Sequence, residues 1–188
     1  MENTLAQRDD WQHDTPLFKS IISKLQDAIE EVRRISMDLR PSILDDLGIL
    51  ATLGWFCREF QSVYRGIRVE LRIEVQEADI PVPLKVVIFR IVQEALNNVA
   101  KYSGTDTVQI GLKKTSHAIE LDIADNGIGF DLSEIAAKRG VGLGGTGLVS
   151  MRERAEYSGG HFTLKSNKGQ GTCIRILWED APGRIAAN

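Results

Sequence analysis

Residues 67–75 (IRVELRIEV) alternate apolar and polar side chains at every step, the period of a strand with one buried face. The same alternation returns at 107–113 (TVQIGLK) and at 118–124 (AIELDIA), where Ile119, Leu121 and Ile123 share a face. Two closing strands are expected at 161–166 and 172–178, joined by the turn 167–171 (NKGQG).

Elsewhere the period is helical. Phe18, Ile22, Leu25, Ile29, Val32 and Leu39 recur at spacings of four and three, with Ser36 at the missing step. The pattern predicts a helix over 18–39 with a seam for partner helices, its charges Glu30, Glu31, Arg33 and Arg34 facing solvent. Pro41 stops or kinks that helix at Arg40. A second helix over 49–63 carries Leu50, Leu53, Phe56, Cys57 and Phe60 along one side. Pro83 suits the first turn of a helix over 83–101, and another helix is expected at 147–158. Strand, helix, two strands, glycine-rich loop, helix, two strands is the order of an α+β fold. It predicts a two-layer α/β sandwich, a mixed sheet with helices on one face, preceded by a helical segment. The expected divisions are a helical part over 1–63, an α/β domain over 64–180 and a tail over 181–188.

Composition narrows the class. Of the 188 residues, 43% are hydrophobic and 26% charged, the balance of a soluble globular chain. A net charge of -3 supplies no general attraction to nucleic acid. No apolar run approaches the roughly 18–20 residues that span a bilayer, and the first residues lack a signal-peptide core. Cys57 and Cys173 build neither a disulfide framework nor a metal site and read as inert, buried thiols. A cytoplasmic location is expected.

Four segments carry candidate chemistry. On the helix 83–101, Leu84, Val87, Ile88, Ile91, Val92, Ala95 and Val99 form the apolar arc. At about 100° per residue, Asn98 falls about 20° from Ile91, where packing alone favours Leu or Ala. Glu94 lies one turn before it and Lys101 one turn after. Such a carboxylate, carboxamide and ammonium set can hold hydrated Mg²⁺ and the phosphates it bridges, or be a surface polar cluster. The second segment, Asp125-Asn-Gly127-Ile-Gly129, follows a strand directly. It puts a carboxylate at a sheet edge, able to accept an exocyclic amine, and glycines that admit a ligand close to the backbone. Its alternative is an Asn-Gly hairpin turn. The third, 140–147 (GVGLGGTG), contains a G-x-G-x-x-G at Gly142, Gly144 and Gly147. Because no strand precedes it, the dinucleotide fingerprint does not apply. What remains is a long glycine loop running into a helix start, an anion site and a lid, or simply a flexible loop. The fourth, Gly169-Gln-Gly171-Thr172, is by itself a tight turn.

In this order the four segments resemble the ATPase domain shared by gyrase, a heat-shock chaperone, histidine kinases and mismatch-repair ATPases. The asparagine helix resembles Glu94-Ala-Leu-Asn-Asn98-Val-Ala-Lys101-Tyr102-Ser. The adenine motif resembles 125–129, and the later glycine motifs resemble Gly145-Thr146-Gly147-Leu148 and Gly169-Gln-Gly171-Thr172. The segment 31–48 (EVRRISMDLRPSILDDLG), with 93–98 (QEALNN) and 151–154 (MRER), is similar to nitrate-sensor-type sensor histidine kinases, partners of response regulators of the LuxR class. The resemblance implies ATP and Mg²⁺ as cofactors. It implies Asn98 as metal ligand, and Glu94 as base or second metal ligand. Lys101 would contact phosphate and Asp125 the adenine amine. Tyr102, Gly127, Gly129, Gly145, Thr146, Gly147, Leu148 and Thr172 would line the nucleotide site. The implied activity is transfer of the γ-phosphate to a histidine on a dimerisation helix, in a homodimer, for relay to a response regulator.

One departure concerns the acceptor. His13-Asp14 is followed by Thr15-Pro16, which breaks a helix, and no helical hairpin fits before Leu39. His117 and His161 lie in or beside strands of the ATPase part and read as core or solvated. The chain is therefore expected to lack its own phosphoacceptor histidine and to act on a separate donor helix. An anti-sigma-type serine kinase and a nucleotide-binding regulatory module without transfer activity are the alternatives.

Overall fold

The computed structural model describes residues 21–22, 24–25, 43–131 and 146–179. Most of the helix expected over 18–39, the loop 132–145 with Gly145, His13 and the tail lie outside the described residues. Ile21, Ile22 and Leu25 are helical and exposed.

The sheet is formed by β1 (Arg68–Glu74), β2 (Thr107–Lys114), β3 (Ala118–Asp125), β4 (His161–Ser166) and β5 (Thr172–Glu179), in the order β1-β2-β3-β5-β4. β1 and β2 are parallel and the remaining pairs antiparallel. The parallel pair requires a crossover, and helix α2 (Val82–Asn98) supplies it. Helix α1 (Ile43–Val63) precedes the sheet and α3 (Thr146–Tyr157) precedes β4. All five strands and the three helices lie within about two residues of their expected places, except that α1 begins six residues early and α2 ends three residues early.

Register explains the alternation. Ile110 faces Ile123 and Leu112 faces Leu121 across β2–β3, while Ile123 faces Ile174 and Leu121 faces Ile176 across β3–β5. These rows are buried against α2 and α3. Phe56 of α1 meets Phe89 of α2 edge to face at 5.3 Å, and Met151 and Ala155 give α3 its buried face. Edge-to-face aromatic packing of this kind adds about 0.5–1.5 kcal/mol beyond area burial. The opposite sheet face is polar. Arg175 Nε lies 2.5 Å from Asp122 Oδ1 and 3.1 Å from Glu120 Oε1. Exposed pairs of this kind each contribute about 0–1 kcal/mol, so the helix-covered face holds the domain together.

The early start of α1 has a local cause. Gly48 is non-helical, with φ 81° and ψ 178°, and separates one turn at 43–47 from the expected helix. The freed N–H groups of Ile49 and Leu50 donate to Glu77 Oε1 and Oε2, each at 3.0 Å. Lys85 Nζ stands 2.5 Å from the same carboxylate. Burial pushes the Glu77 carboxyl up, but these donors outweigh it and hold the group below the usual glutamate range. A short 3-10 turn, Glu77–Asp79, carries this carboxylate to the helix end, where it caps from 27 and 28 residues away. A cavity of about 430 Å³ opens beside this clasp, between Leu44, Asp46 and Val86.

Of the two cysteines, Cys57 is buried and its thiol is pushed up to about 12 by burial, hence inert. Cys173 departs from the expectation. It is half-exposed, because its register opposite Ala124 places it on the polar sheet face. His117 and His161 are both exposed.

Candidate functional site

α2 ends at Asn98, three residues earlier than expected, and continues as a wider π turn, Val99–Ser103, closed by Gly104 at φ 60°. Such turns interrupt helices frequently at functional sites. Here the turn leaves Glu94 and Asn98 on the last regular turns and carries Lys101 and Tyr102 out to solvent, Tyr102 being 69% exposed.

α3 begins against those two residues. A side chain at Gly147 would collide with Glu94 Oε1 and come within 3.3 Å of Asn98 Nδ2. Only a glycine lets the start of α3 approach Glu94 and Asn98 this closely. Asn98 Nδ2 is buried and has no hydrogen-bond partner among the described residues. A buried amide without a partner costs about 1–3 kcal/mol, which a bound ligand would recover. At this point Glu94 presents a carboxylate oxygen and Asn98 its amide N–H, which suits a phosphate oxygen; the carboxylate and the Asn98 carboxamide oxygen are the atoms that would suit Mg²⁺ rather than a soft metal. No group of three or more His, Cys, Asp or Glu could hold a metal among the described residues. A carboxylate and a carboxamide suit the Mg²⁺ habit of one or two protein ligands, the remainder being water and phosphate.

Asp125 is the last residue of β3 and continues the row Ile119, Leu121, Ile123. It therefore points to the covered face, opposite Val108 on one side and Thr172 on the other. Burial pushes its carboxyl above the usual aspartate range, opposed by the N–H groups of Gly127 and Thr172. The Gly127 N–H donates to Asp125 Oδ1 at 2.8 Å. The turn after it is not a hairpin: Ile128 N–H donates to the Ser103 carbonyl at 2.7 Å, and Gly169 N–H to the Ile128 carbonyl at 2.6 Å. A side chain at Gly127 would strike the Ser103 carbonyl, and one at Gly171 the Asp125 carbonyl. Gly129, at φ 56°, sits as closely against Asn167 and Gly171. The fourth motif thus buttresses the second, and its glycines serve close approach.

The candidates therefore form two groups: Glu94, Asn98 and Gly147 in one, Asp125, Gly127, Gly129 and Thr172 in the other. Ser103, on the turn that follows Asn98, joins them. Leu148 lies in the first turn of α3 and is half-buried. Ser103 and Thr105, which adjoin the 125–129 turn, were not legible as its partners, because small polar residues after a helix read only as a loop.

The family described as "Histidine kinase-, DNA gyrase B-, and HSP90-like ATPase" matches residues 85–182. The chain belongs to this family. Its domain is accordingly an ATP-binding one. The chain is 33% identical over 169 residues to "Oxygen sensor histidine kinase NreB" of Staphylococcus carnosus (strain TM300), covering 90% of this chain and 46% of that protein. It thus spans about half the length of this relative. The fold is shared with the "Histidine kinase domain from Erythrobacter litoralis EL346 blue-light activated histidine kinase", at TM-score 0.57 and 20% identity over 68% of this chain and 59% of that one. The "Erythrobacter litoralis EL346 blue-light activated histidine kinase" matches at TM-score 0.55 and 20% identity, over 69% of this chain and 41% of that one. Among the described residues no helix is long and apolar enough to cross a membrane.

A pH dependence follows from Asp125. If Asp125 accepts an amine of the nucleotide, as the resemblance implies, ATP affinity is expected to fall on acidification at a pH above the ordinary aspartate range. The same raised carboxyl favours the protonated folded chain, so its contribution to stability declines as pH rises from the ordinary aspartate value through the raised one. Asp125→Asn should flatten both dependences. Nucleotide titrations across pH with equal slopes in the two proteins would remove Asp125 from the site.

Proposed function

We propose that this chain is the ATP-binding catalytic part of a sensor histidine kinase, transferring the γ-phosphate of Mg·ATP to a histidine on a dimerisation helix for relay to a response regulator. The observation that carries this reading is the convergence of Gly147 on Glu94 and the unpartnered amide of Asn98. Asp125 reads the adenine amine; Thr172, Gly127 and Gly129 shape that end. Asn98, with Glu94 beside it, would hold Mg²⁺, which when bound neutralises charge on the triphosphate. The resemblance assigns Lys101 and Tyr102, exposed on the π turn, to the nucleotide, and Gly145, Thr146, Gly147 and Leu148 to its phosphates.

The lone pair of the acceptor imidazole nitrogen forms the P–N bond as the P–O bond to ADP breaks. The ring proton then leaves to a carboxylate base, for which Glu94 is the candidate. Positioning and charge neutralisation supply most of the acceleration. The acceptor histidine belongs to helices that pair as a homodimer in the whole protein. Because ATP and response regulators are cytoplasmic, this part works in the cytoplasm.

The test is transfer in trans. The chain is mixed with γ-labelled ATP, Mg²⁺ and a histidine-bearing dimerisation hairpin from a nitrate-sensor-type kinase. Acid-labile, base-stable label on the hairpin is expected. Acid-stable label on serine would make the chain a serine kinase. ATP binding with no label transferred would make it a regulatory module.

A further inference from the structure

Asp125 can discriminate bases only if its carboxylate is aimed, and the turn that bears it has little intrinsic stiffness, with glycines at 127 and 129. Two ties hold it to the segment leaving the π turn. On one side, the Ser103 carbonyl accepts the Ile128 N–H at 2.7 Å. The Ser103 hydroxyl is itself committed, donating to the Val99 carbonyl at 2.7 Å and accepting the Thr105 N–H at 3.2 Å. On the other side, the Thr105 hydroxyl donates to Asn126 Oδ1, and Asn126 Nδ2 donates to Asp106 Oδ1 at 3.3 Å. Thr105 is buried; its one hydroxyl proton is shared between two acceptors, Asn126 Oδ1 and the Thr107 carbonyl at 2.8 Å, and its oxygen accepts the Thr107 N–H at 3.1 Å.

We propose that Thr105 and Asn126 are positioning residues for nucleotide specificity: their hydrogen bond fixes the turn next to Asp125 so that its carboxylate accepts the adenine amine and repels the guanine carbonyl. The proposal rests on the reading of Asp125 as the base acceptor. Adenine presents an amine at this ring position and guanine an acceptor oxygen. A fixed carboxylate meets that oxygen with acceptor against acceptor, whereas a loose one can rotate away and tolerate it. The bond spans 21 residues, so it also ties the adenine end of the site to the helix terminus that holds Asn98. Base recognition and triphosphate placement are thereby registered to each other through 103–106.

The experiment measures ATP and GTP dissociation constants, with Mg²⁺, for the wild type, Thr105→Val, Thr105→Ser and Asn126→Ala, alongside thermal melts. Thr105→Val and Asn126→Ala are expected to lower the ATP/GTP preference by about tenfold, the loss of one orienting hydrogen bond, mainly through improved GTP binding. Thr105→Ser should retain the preference, since the hydroxyl remains. A purely structural role would weaken both nucleotides alike and leave the ratio unchanged. That result, or a serine variant as unselective as the valine variant, overturns the proposal. If Thr105→Val does not fold, Asn126→Ala decides the question alone. A wild-type chain with no preference for ATP rejects Asp125 as the base reader, and the positioning role with it.

Discussion

Asn98→Ala is expected to reduce Mg·ATP affinity on the order of 100-fold or more, the equivalent of about 3 kcal/mol for a lost contact to a charged group. The fold should survive, because the Asn98 amide nitrogen has no partner to lose among the described residues. Removing a buried polar group that lacks a partner relieves its desolvation cost of about 1–3 kcal/mol, which offsets the packing lost, so the melting temperature should not fall. The variant therefore separates binding from folding. Titration calorimetry reads the first and thermal unfolding the second. An Asn98→Ala protein that binds Mg·ATP as the wild type does would mean that the convergence of α2 and α3 serves packing alone. The site assignment would then fall.

The second large effect is on stability and lies at the other end of α2. Gly48→Ala is expected to destabilise the domain by about 2–4 kcal/mol. Roughly 1–2 kcal/mol comes from forcing a side chain into the left-handed region. A further 1–2 kcal/mol, about the value of a helix cap, comes from displacing Glu77, whose carboxylate occupies the space of the new methyl group. Glu77→Ala alone removes the cap and the Lys85 ion pair. The two penalties are consequently sub-additive: in the Glu77→Ala background, Gly48→Ala should cost only the backbone share. Equilibrium denaturation of the four proteins completes the cycle, and strictly additive penalties would show that Gly48 and Glu77 do not act together. Acidity adds an independent check. The Glu77 carboxyl is held below its ordinary value, so its stabilisation is present above the unfolded-state value and lost as pH falls through the lowered one. The stability gap between wild type and Glu77→Ala should close over that acidic range.

Strands and helices were readable because burial on one face imposes a period on the residues themselves. Ile119, Leu121 and Ile123 announced their face, and Asp125 was conspicuous as the polar residue at the next step of the same row. Asn98 stood out in the same way, inside an apolar arc. The glycines at 127 and 129 marked a place where a ligand could come close to the backbone, whereas Gly171 read only as part of a tight turn.

Partners at long range left no such mark. The parallel pairing of Val69 with Val108 and the insertion of β5 between β3 and β4 depend on how the layers close. Several alternating strands are equally compatible with other orders. The carboxylate of Glu77 at the start of α1, the hydroxyl of Thr105 beside Asn126 and the carbonyl of Ser103 against Gly127 are polar groups that find partners across 21 to 28 residues. Local sequence determined which side chains must be buried and which break that rule, because water acts on each residue according to its own polarity. Tertiary structure alone decided which of those exceptions meet, because a hydrogen bond or a shared cavity depends on the position of both partners, and folding brings them together only once the apolar layers have closed.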